Sequence, residues 1–512
     1  MPATPVSLPP PIPPQQLTRE AIASGARQQV SVRFMHYRMH IAFDERVISD
    51  DTLGRAISGN DSLRDALASI ARAYYDAGYP AARVCYAQDG DDVYVQVRRG
   101  QLDGVRGEPP VLVYFDDLPV GQALRSTDLE PRRALAGVAA ARAGISLSPK
   151  FVPVDSDGAI LDLGTPQGGP RQTYVQADFS NFGSRYSSRY MLDALLRQSF
   201  ASGDELRIAA TTGLRGFAFS DASAGAYHDG SAEWTRVSRY GLLGADARYS
   251  EFTQYVTQAQ LDGELDNEGI SFLRPLYADL SMRWNLKLRI DRTHRRTAVD
   301  SSGEEVYAEQ YNSVEADSLY VWQPQTTRSQ WGLQARLVAR QGLGSHTTTL
   351  SPANLDYFLL RPSLNLHYVP DGPLSYAFDA EGQLGGAVMP DQEQWVLGGP
   401  TNMRAYLPGY AVGDTGGSGR LSAQWRPVSR GTLQLQPKAL VEYGYSRYHA
   451  DVPGRPSGAV RLADAGLQLD LRWRSWLEAS LSVARPFYES GTDNAQAGSG
   501  KEFYYFQLSG RY

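Results

Sequence analysis

Arg404 lies in the stretch GGPTNMRAYLPGYAVGD (398–414), a loop by its glycines and prolines, with no acidic neighbour before Asp414. A lone guanidinium in a partly apolar loop suits a charge-assisted grip on a carboxylate elsewhere in the fold. The plainer alternative is a surface arginine with no fixed partner. Other candidate chemistries fail on spacing. GSGK (498–501) hints at a phosphate loop, but residue 495 is Ala and residue 502 is Glu, which breaks the Gly-x-x-x-x-Gly-Lys-Ser/Thr pattern. It reads instead as a turn before the last strand. GDTGGSG (413–419) lacks the Gly-x-Ser-x-Gly arrangement of a nucleophile elbow. His36 and His40 fall on one strand face without acidic or cysteine partners at ligand spacing. No catalytic constellation emerges, so neither an enzyme nor a bound metal or cofactor is expected.

Composition narrows the class. The chain has 512 residues, room for two or three domains. Hydrophobic residues make up 42% and mean hydropathy is −0.38. No stretch approaches the roughly 18 consecutive apolar residues of a membrane helix. That excludes helical membrane proteins but not barrels, whose strands alternate and average out to polar. Tyr numbers 30 against 16 Phe and 8 Trp, and Tyr favours interfaces where one end of the ring is wet. A net charge of −6 with no basic block argues against nucleic acid as a partner. The single cysteine, Cys85, allows no intrachain disulfide and reads as a small core residue. Met1 is followed by PATPVSLPPPIPP, which shows no signal peptide. The protein is then either cytosolic or a mature form.

Residues 1–29 form a proline-rich tail in which 15–29 could make a short helix. Residues 30–100 read as an α/β unit. It has a strand over 30–43 with Met35, Tyr37, Met39, Ile41 and Phe43 on one face, then a helix over 61–79 with a Leu63, Leu67, Ile70, Tyr74 stripe stopped at Gly78. Two strands follow, joined by DGDD (89–92), with Val93, Val95 and Val97 on one face. Residues 101–168 form a second unit. Its helix, over 126–144, would be capped by Thr127 or Asp128, and its strands lie near KFVPV and AILDLG.

From about residue 171 helical stripes give way to period-2 alternation. In YADLSMRWNLKLRID (277–291), Leu280, Met282, Trp284, Leu286, Leu288 and Ile290 oppose Ser281, Arg283, Asn285, Lys287, Arg289 and Asp291. QWGLQARLVAR (330–340), LQLDLRWR (467–474) and, after a two-residue turn, WLEASLSVAR (476–485) repeat the pattern. The polar face carries full charges, the apolar face finds no partner layer elsewhere in the chain, and the chain ends on EFYYFQLSGRY. In lipid every backbone group must pair, which requires closing the sheet. At about 21 residues per strand and connection, residues 169–512 give a transmembrane antiparallel β-barrel of roughly sixteen strands.

Two α/β units before such a barrel resemble the POTRA–barrel outer-membrane superfamily, and within it the two-partner secretion transporters (TpsB family, ShlB/FhaC/HecB-like). The resemblance covers about residues 30–512. ARAYYDAGYPAARV is similar to the POTRA signature, with Tyr74 or Tyr75, Gly78 and Tyr79. DFSNFGSRYSSRY (178–190) resembles the family's opening turn of the barrel, with Asn181, Gly183 and Ser184. GDELRI (203–208) matches its Gly-Asp lead into the next strand pair, and 391–416 its sixth extracellular loop, folded back into the lumen. The family's partner motif, Phe-x-Asp-x-Gly, corresponds to LVEYG (440–444). Leu440, Glu442 and Gly444 share parity there, opposite Val441, Tyr443 and Tyr445.

The resemblance implies a lumenal lock in which Arg404 pairs bidentately with Glu442, flanked by Tyr406 and Gly444. Two positions depart from the family pattern. Ala405 stands for glycine, so a tip needing positive φ would change shape, and Glu442 stands for aspartate. The resemblance further implies an outer-membrane protein whose amino-terminal domains lie in the periplasm. They would catch an unfolded, secreted TpsA-like polypeptide of haemolysin or adhesin type by strand addition. Export would run through the pore of a monomer in outer-membrane lipid. Relatives plug the pore with an amino-terminal helix, for which the segment before residue 30 is short. The alternatives are an assembly factor that inserts other barrels and a plain porin.

Overall fold

The computed structural model describes residues 9–22, 28–154, 157–165, 169–184, 188–217, 225–256, 259–323, 330–347, 353–449, 458–491 and 504–512. GSGK and much of the last long loop therefore lie outside the described residues.

The first unit is a five-stranded sheet ordered Gln15–Gln16, Arg83–Asp89, Asp92–Arg98, Tyr37–Phe43, Gln28–Phe34. Met39, Ile41, Phe43, Val93, Val95 and Val97 bury their sheet face under Leu67, Ile70 and Tyr74 of the helix Leu63–Asp76. Ser62 caps that helix, its Oγ accepting the Asp65 N–H at 3.2 Å. A second helix, Asp50–Ser58, packs beside it. The expected single strand over 30–43 is instead a hairpin that turns at Met35 and His36, with Met35 at φ 53°. His36 therefore sits in the turn and shares no strand with His40, which pairs with Asp92 at 3.0 Å. Of the expected helix over 15–29, the described residues carry Arg19–Ile22, with Gln15–Gln16 and Gln28–Gln29 in strands and 23–27 outside the described residues. That short helix packs on the first unit, where Arg19 reaches Asp89 and Tyr94.

The second unit has three strands, Gln101–Arg106, Gly158–Asp162 and Lys150–Pro153, beneath the helix Ser126–Arg142. Neither Thr127 nor Asp128 caps that helix. Arg125 takes the cap position without a side-chain bond, since a guanidinium has no acceptor to offer, and the Ser126 N–H is donated to the Gly78 carbonyl at 2.9 Å.

Sixteen long antiparallel strands, from Thr173–Ser180 to Tyr504–Arg511, close into a barrel; the short segment Val428–Arg430 prolongs the twelfth. Closure pairs Gln507–Arg511 with Ser180–Gln176. Trp284, Leu288 and Ile290 are exposed on the outer face, while inward-facing charges pair across neighbouring strands, as in Arg336–Asp317 at 2.8 Å and Arg420–Asp379 at 2.9 Å. Several strands run 16 to 20 residues, longer than the roughly 9–11 that cross a membrane. The reading of 277–291 as one strand is corrected. Asp279 Oδ1 accepts the Ser281 and Met282 N–H groups, both at 2.8 Å, and turns the chain there. Leu280 thus sits in a turn. The turn before Leu477 has three residues, 474–476, with Arg474 at φ 54°.

The second unit and the barrel share a core: Val237 and Leu242, on the barrel's near rim, join Leu129, Leu135 and Ala136. Arg142, nearly fully buried, donates to the carbonyls of Gly203 (2.8 Å) and Thr235 (3.1 Å) and to Thr235 Oγ1 (2.6 Å). Gly203, at φ 84°, turns its carbonyl toward that guanidinium. This gives the Gly-Asp pair at 203–204 a structural reason.

Candidate functional site: a loop clasped in the barrel lumen

Residues 386–414 join the eleventh and twelfth barrel strands, Leu374–Gly385 and Thr415–Trp425. They do not project from the barrel. Trp395–Leu397 and Ala411–Gly413 pair as a short ribbon, and Leu397, Met403, Ala405, Tyr406 and Tyr410 pack with Val460, Leu462 and Ala484 of the wall. Gly398 and Gly399 make the hairpin possible. Both have positive φ, 112° and 101°, and a Cβ on Gly398 would stand 2.2 Å from the Leu407 carbonyl oxygen. Asn402 fastens the same turn, accepting the Gly398 N–H and donating to the Val396 carbonyl, both at 3.0 Å.

At the tip Arg404 meets Glu442, whose side chain is fully buried. The guanidinium Nη1 contacts Glu442 Oε1, while the Arg404 backbone N–H donates to Oε2 at 2.9 Å. The expected fork-to-fork pairing is therefore corrected. One carboxylate oxygen takes the guanidinium and the other the backbone amide, leaving Nη2 to reach Gln468 Oε1 at 3.3 Å. The Ala405 N–H donates to Asp464 Oδ2 at 3.0 Å. The Tyr406 hydroxyl donates to Glu489 at 3.1 Å, and Tyr505 donates to the Tyr406 carbonyl at 2.5 Å. Glu442 and Asp464 are direct cross-strand partners. Two wall carboxylates thus face one loop cation and two loop amides, with Arg420 adding a second cation 3.7 Å from Glu442. Such a cluster holds a loop without a covalent bond, and breaking it strands buried carboxylates.

Ala405 meets no strain: Met35 and Arg474 are the non-glycine residues with positive φ among the described residues, so the expected change of tip shape has no backbone cause. Gly444 faces the loop, and a Cβ there would lie 2.5 Å from Leu397 Cδ1 and 3.0 Å from Met403 Sδ. Leu440 is buried inward, while Val441 and Tyr443 are exposed outward. Asp414 is no partner of Arg404. It accepts the Met389 and His449 N–H groups, both at 2.8 Å, and ties the loop's ends to the wall.

The other residues singled out in the sequence lie elsewhere. Asn181 sits at the seam, donating to the Tyr504 carbonyl (3.2 Å) and accepting the Phe506 N–H (2.7 Å). Gly183 leaves no room for a Cβ, 1.7 Å from the Ser188 carbonyl, and with Ser184 lines a pocket that also includes Pro408 of the loop. Tyr75 donates to the Pro9 carbonyl at 2.8 Å, Gly78, at φ 93°, accepts the Ser126 N–H of the second unit through its carbonyl at 2.9 Å, and Tyr79 is buried in the first unit's core. Sequence reasoning missed Asp464 and Gln468. Their signal was present, since both share parity with Asp470 on a charged strand face.

A closed barrel of sixteen strands, apolar outside and charged within, with α/β units at one end and a long loop bound in its lumen, has the form of a membrane-spanning barrel. A family model, "Haemolysin secretion/activation protein ShlB/FhaC/HecB", matches residues 167–471, and the chain belongs to that family: it is an outer-membrane β-barrel transporter of two-partner secretion. Solved structures with this fold include CdiB from Escherichia coli (TM-score 0.69, 13% identity, 97% of this chain and 93% of that one). CdiB from Acinetobacter baumannii follows (0.62, 12%, 97% and 92%). BamA from Haemophilus ducreyi lacking POTRA domains 1–3 is less similar (0.51, 13%, 94% and 100%). No curated protein sequence matches the chain. The family match and the higher similarity to CdiB give the assembly-factor alternative less support.

Proposed function

We propose that residues 30–100 and 101–168 are two POTRA-like domains in the periplasm and that they catch an unfolded, secreted TpsA-like partner. The partner then leaves through the lumen of residues 169–512 when the loop tip lets go of Glu442. The observation that carries this reading is the clasp itself: a loop long enough to span the lumen, held at its tip by Arg404, Glu442, Asp464 and Glu489 through reversible polar contacts. Tyr406 and Gly444 shape the seat of that tip. Asn181, Gly183 and Ser184 serve the seam where the barrel closes, and Tyr75, Gly78 and Tyr79 serve the first domain and, through Gly78, its joint with the second.

The first sheet supports strand addition as the mode of capture. Gln28–Phe34 is an edge strand of seven residues, and backbone bonds there would bind many sequences alike. The protein works as a monomer in outer-membrane lipid, and transport requires no catalytic step by this chain. The test is secretion. Deleting the chain should abolish export of its TpsA-like partner while other outer-membrane barrels stay at normal levels. Loss of many barrels on deletion would instead favour the assembly reading.

A further inference from the structure

The segment that leads into the clasped loop carries charges that the Arg404 site does not use. Asp391 and Glu393 lie in a 3-10 turn shortly after Gly385. Asp391 pairs with Arg295 at 2.6 Å. Glu393, 5% exposed, pairs with Arg340 and Arg361, each at 2.9 Å. Its carbonyl accepts from Arg361 at 3.1 Å and from Gln383 at 2.5 Å. Arg340 is itself braced by Asp291 at 2.7 Å and Glu315 at 3.1 Å. Beside the cluster, Met389 of the same segment packs with Tyr311, Leu355, Tyr357 and Leu359.

This contact mirrors the tip in two ways. Its polarity is reversed: at the tip a loop cation meets wall carboxylates, whereas here loop carboxylates meet wall cations. Its position is also different. Arg295, Arg340 and Arg361 come from the strands Met282–Val299, Gln330–Thr347 and Phe358–Val369, while the tip's partners come from the strands Leu433–Arg447 to Tyr504–Arg511. The strands between these two sets separate two arcs of the wall.

We propose that Asp391 and Glu393 are a second anchor and that the loop is a strap held both near its base and at its tip across the lumen. The anchor near Gly385 is the post, and the Arg404 tip is the part that swings. The wall braces Arg340 from both sides, so the post persists when the tip releases, and it limits how far the loop can move. Asp391 and Glu393 are thus positioning residues. The inference rests on the reading of this loop as the moving part of the export path.

The experiment is planar-bilayer conductance of the full-length protein, with heat-dependent gel mobility as a check that each barrel is folded. The variants are R404A, D391N/E393Q and all three changes together. R404A alone should produce a partly open level. Adding D391N/E393Q should raise occupancy of a wider level at least about tenfold over R404A, the scale of losing a buried charge partner. A folded triple variant that conducts like R404A would overturn the second anchor. If R404A is silent while D391N/E393Q opens the pore, the anchor stands and the Arg404 lock fails. A charge swap guards against simple damage: D391R should disturb the pore and D391R/R295D should restore it. A swap no better than D391R would contradict a direct Asp391–Arg295 anchor.

Discussion

Arg404→Ala is the sharpest single perturbation of the clasp. It removes the guanidinium from a fully buried Glu442 and leaves the Arg404 backbone N–H bond at 2.9 Å in place. Breaking a buried ion pair by removing one partner costs about 3–5 kcal/mol, because the remaining charge is stranded. Arg420, 3.7 Å from the same carboxylate, compensates in part, so the lower end, ~3 kcal/mol, is the expected loss of docking energy. At ~1.4 kcal/mol per tenfold, the ratio of released to docked loop rises roughly 100-fold. The barrel itself should stay folded, since no strand pairing is touched. Conductance in planar bilayers should show new open events, and export of the partner should fall because the lock no longer responds to it. The double-mutant cycle isolates the pair: Arg404→Glu sets a third carboxylate beside Glu442 and Asp464 and should be worse than Arg404→Glu combined with Glu442→Arg. Wild-type conductance and secretion from a folded Arg404→Ala protein would refute the lock.

Three further outcomes follow from the same geometry. Gly444→Val should mimic Arg404→Ala with all charges intact, since its Cβ would press on Leu397 and Met403; overpacking costs about 1–3 kcal/mol, and conductance reads the effect. Asn181→Ala should weaken the seam by about 1–3 kcal/mol by orphaning the Phe506 N–H, seen as a lower unfolding temperature on gels run at stepped temperatures. Burial pushes the Cys85 thiol up, so it should resist alkylation near neutral pH until the first unit unfolds, with labelling and loss of that unit's structure coinciding.

Alternation made the barrel legible, because each of its strands must be greasy on one side and wet on the other. That Leu440, Glu442 and Gly444 share one face was legible by parity alone. The pairing of Glu442 with Arg404 was not, since nothing local to either residue says that a loop folds inward; the family likeness carried that step. Nothing in the sequence marked Asp391 and Glu393, because the arginines that hold them come from three separate strands. Met35 at a left-handed φ disguised a hairpin as one strand, where glycine or asparagine would have marked the turn. Leu280 hid another turn by keeping the alternation going through Asp279. The helix Asp50–Ser58 left a signal that went unused: Ser49 as cap, then Leu53 and Ile57 four apart.

The central claim is that a secreted chain travels through this lumen. A photo-crosslinking residue placed at Gln436, which lines the inner wall, tests it against one placed at Val441, which faces outward. During export of the partner, Gln436 should give an adduct with the moving chain and Val441 should not. No adduct at Gln436 in a strain that exports normally, or equal adducts at both positions, would contradict passage through the barrel.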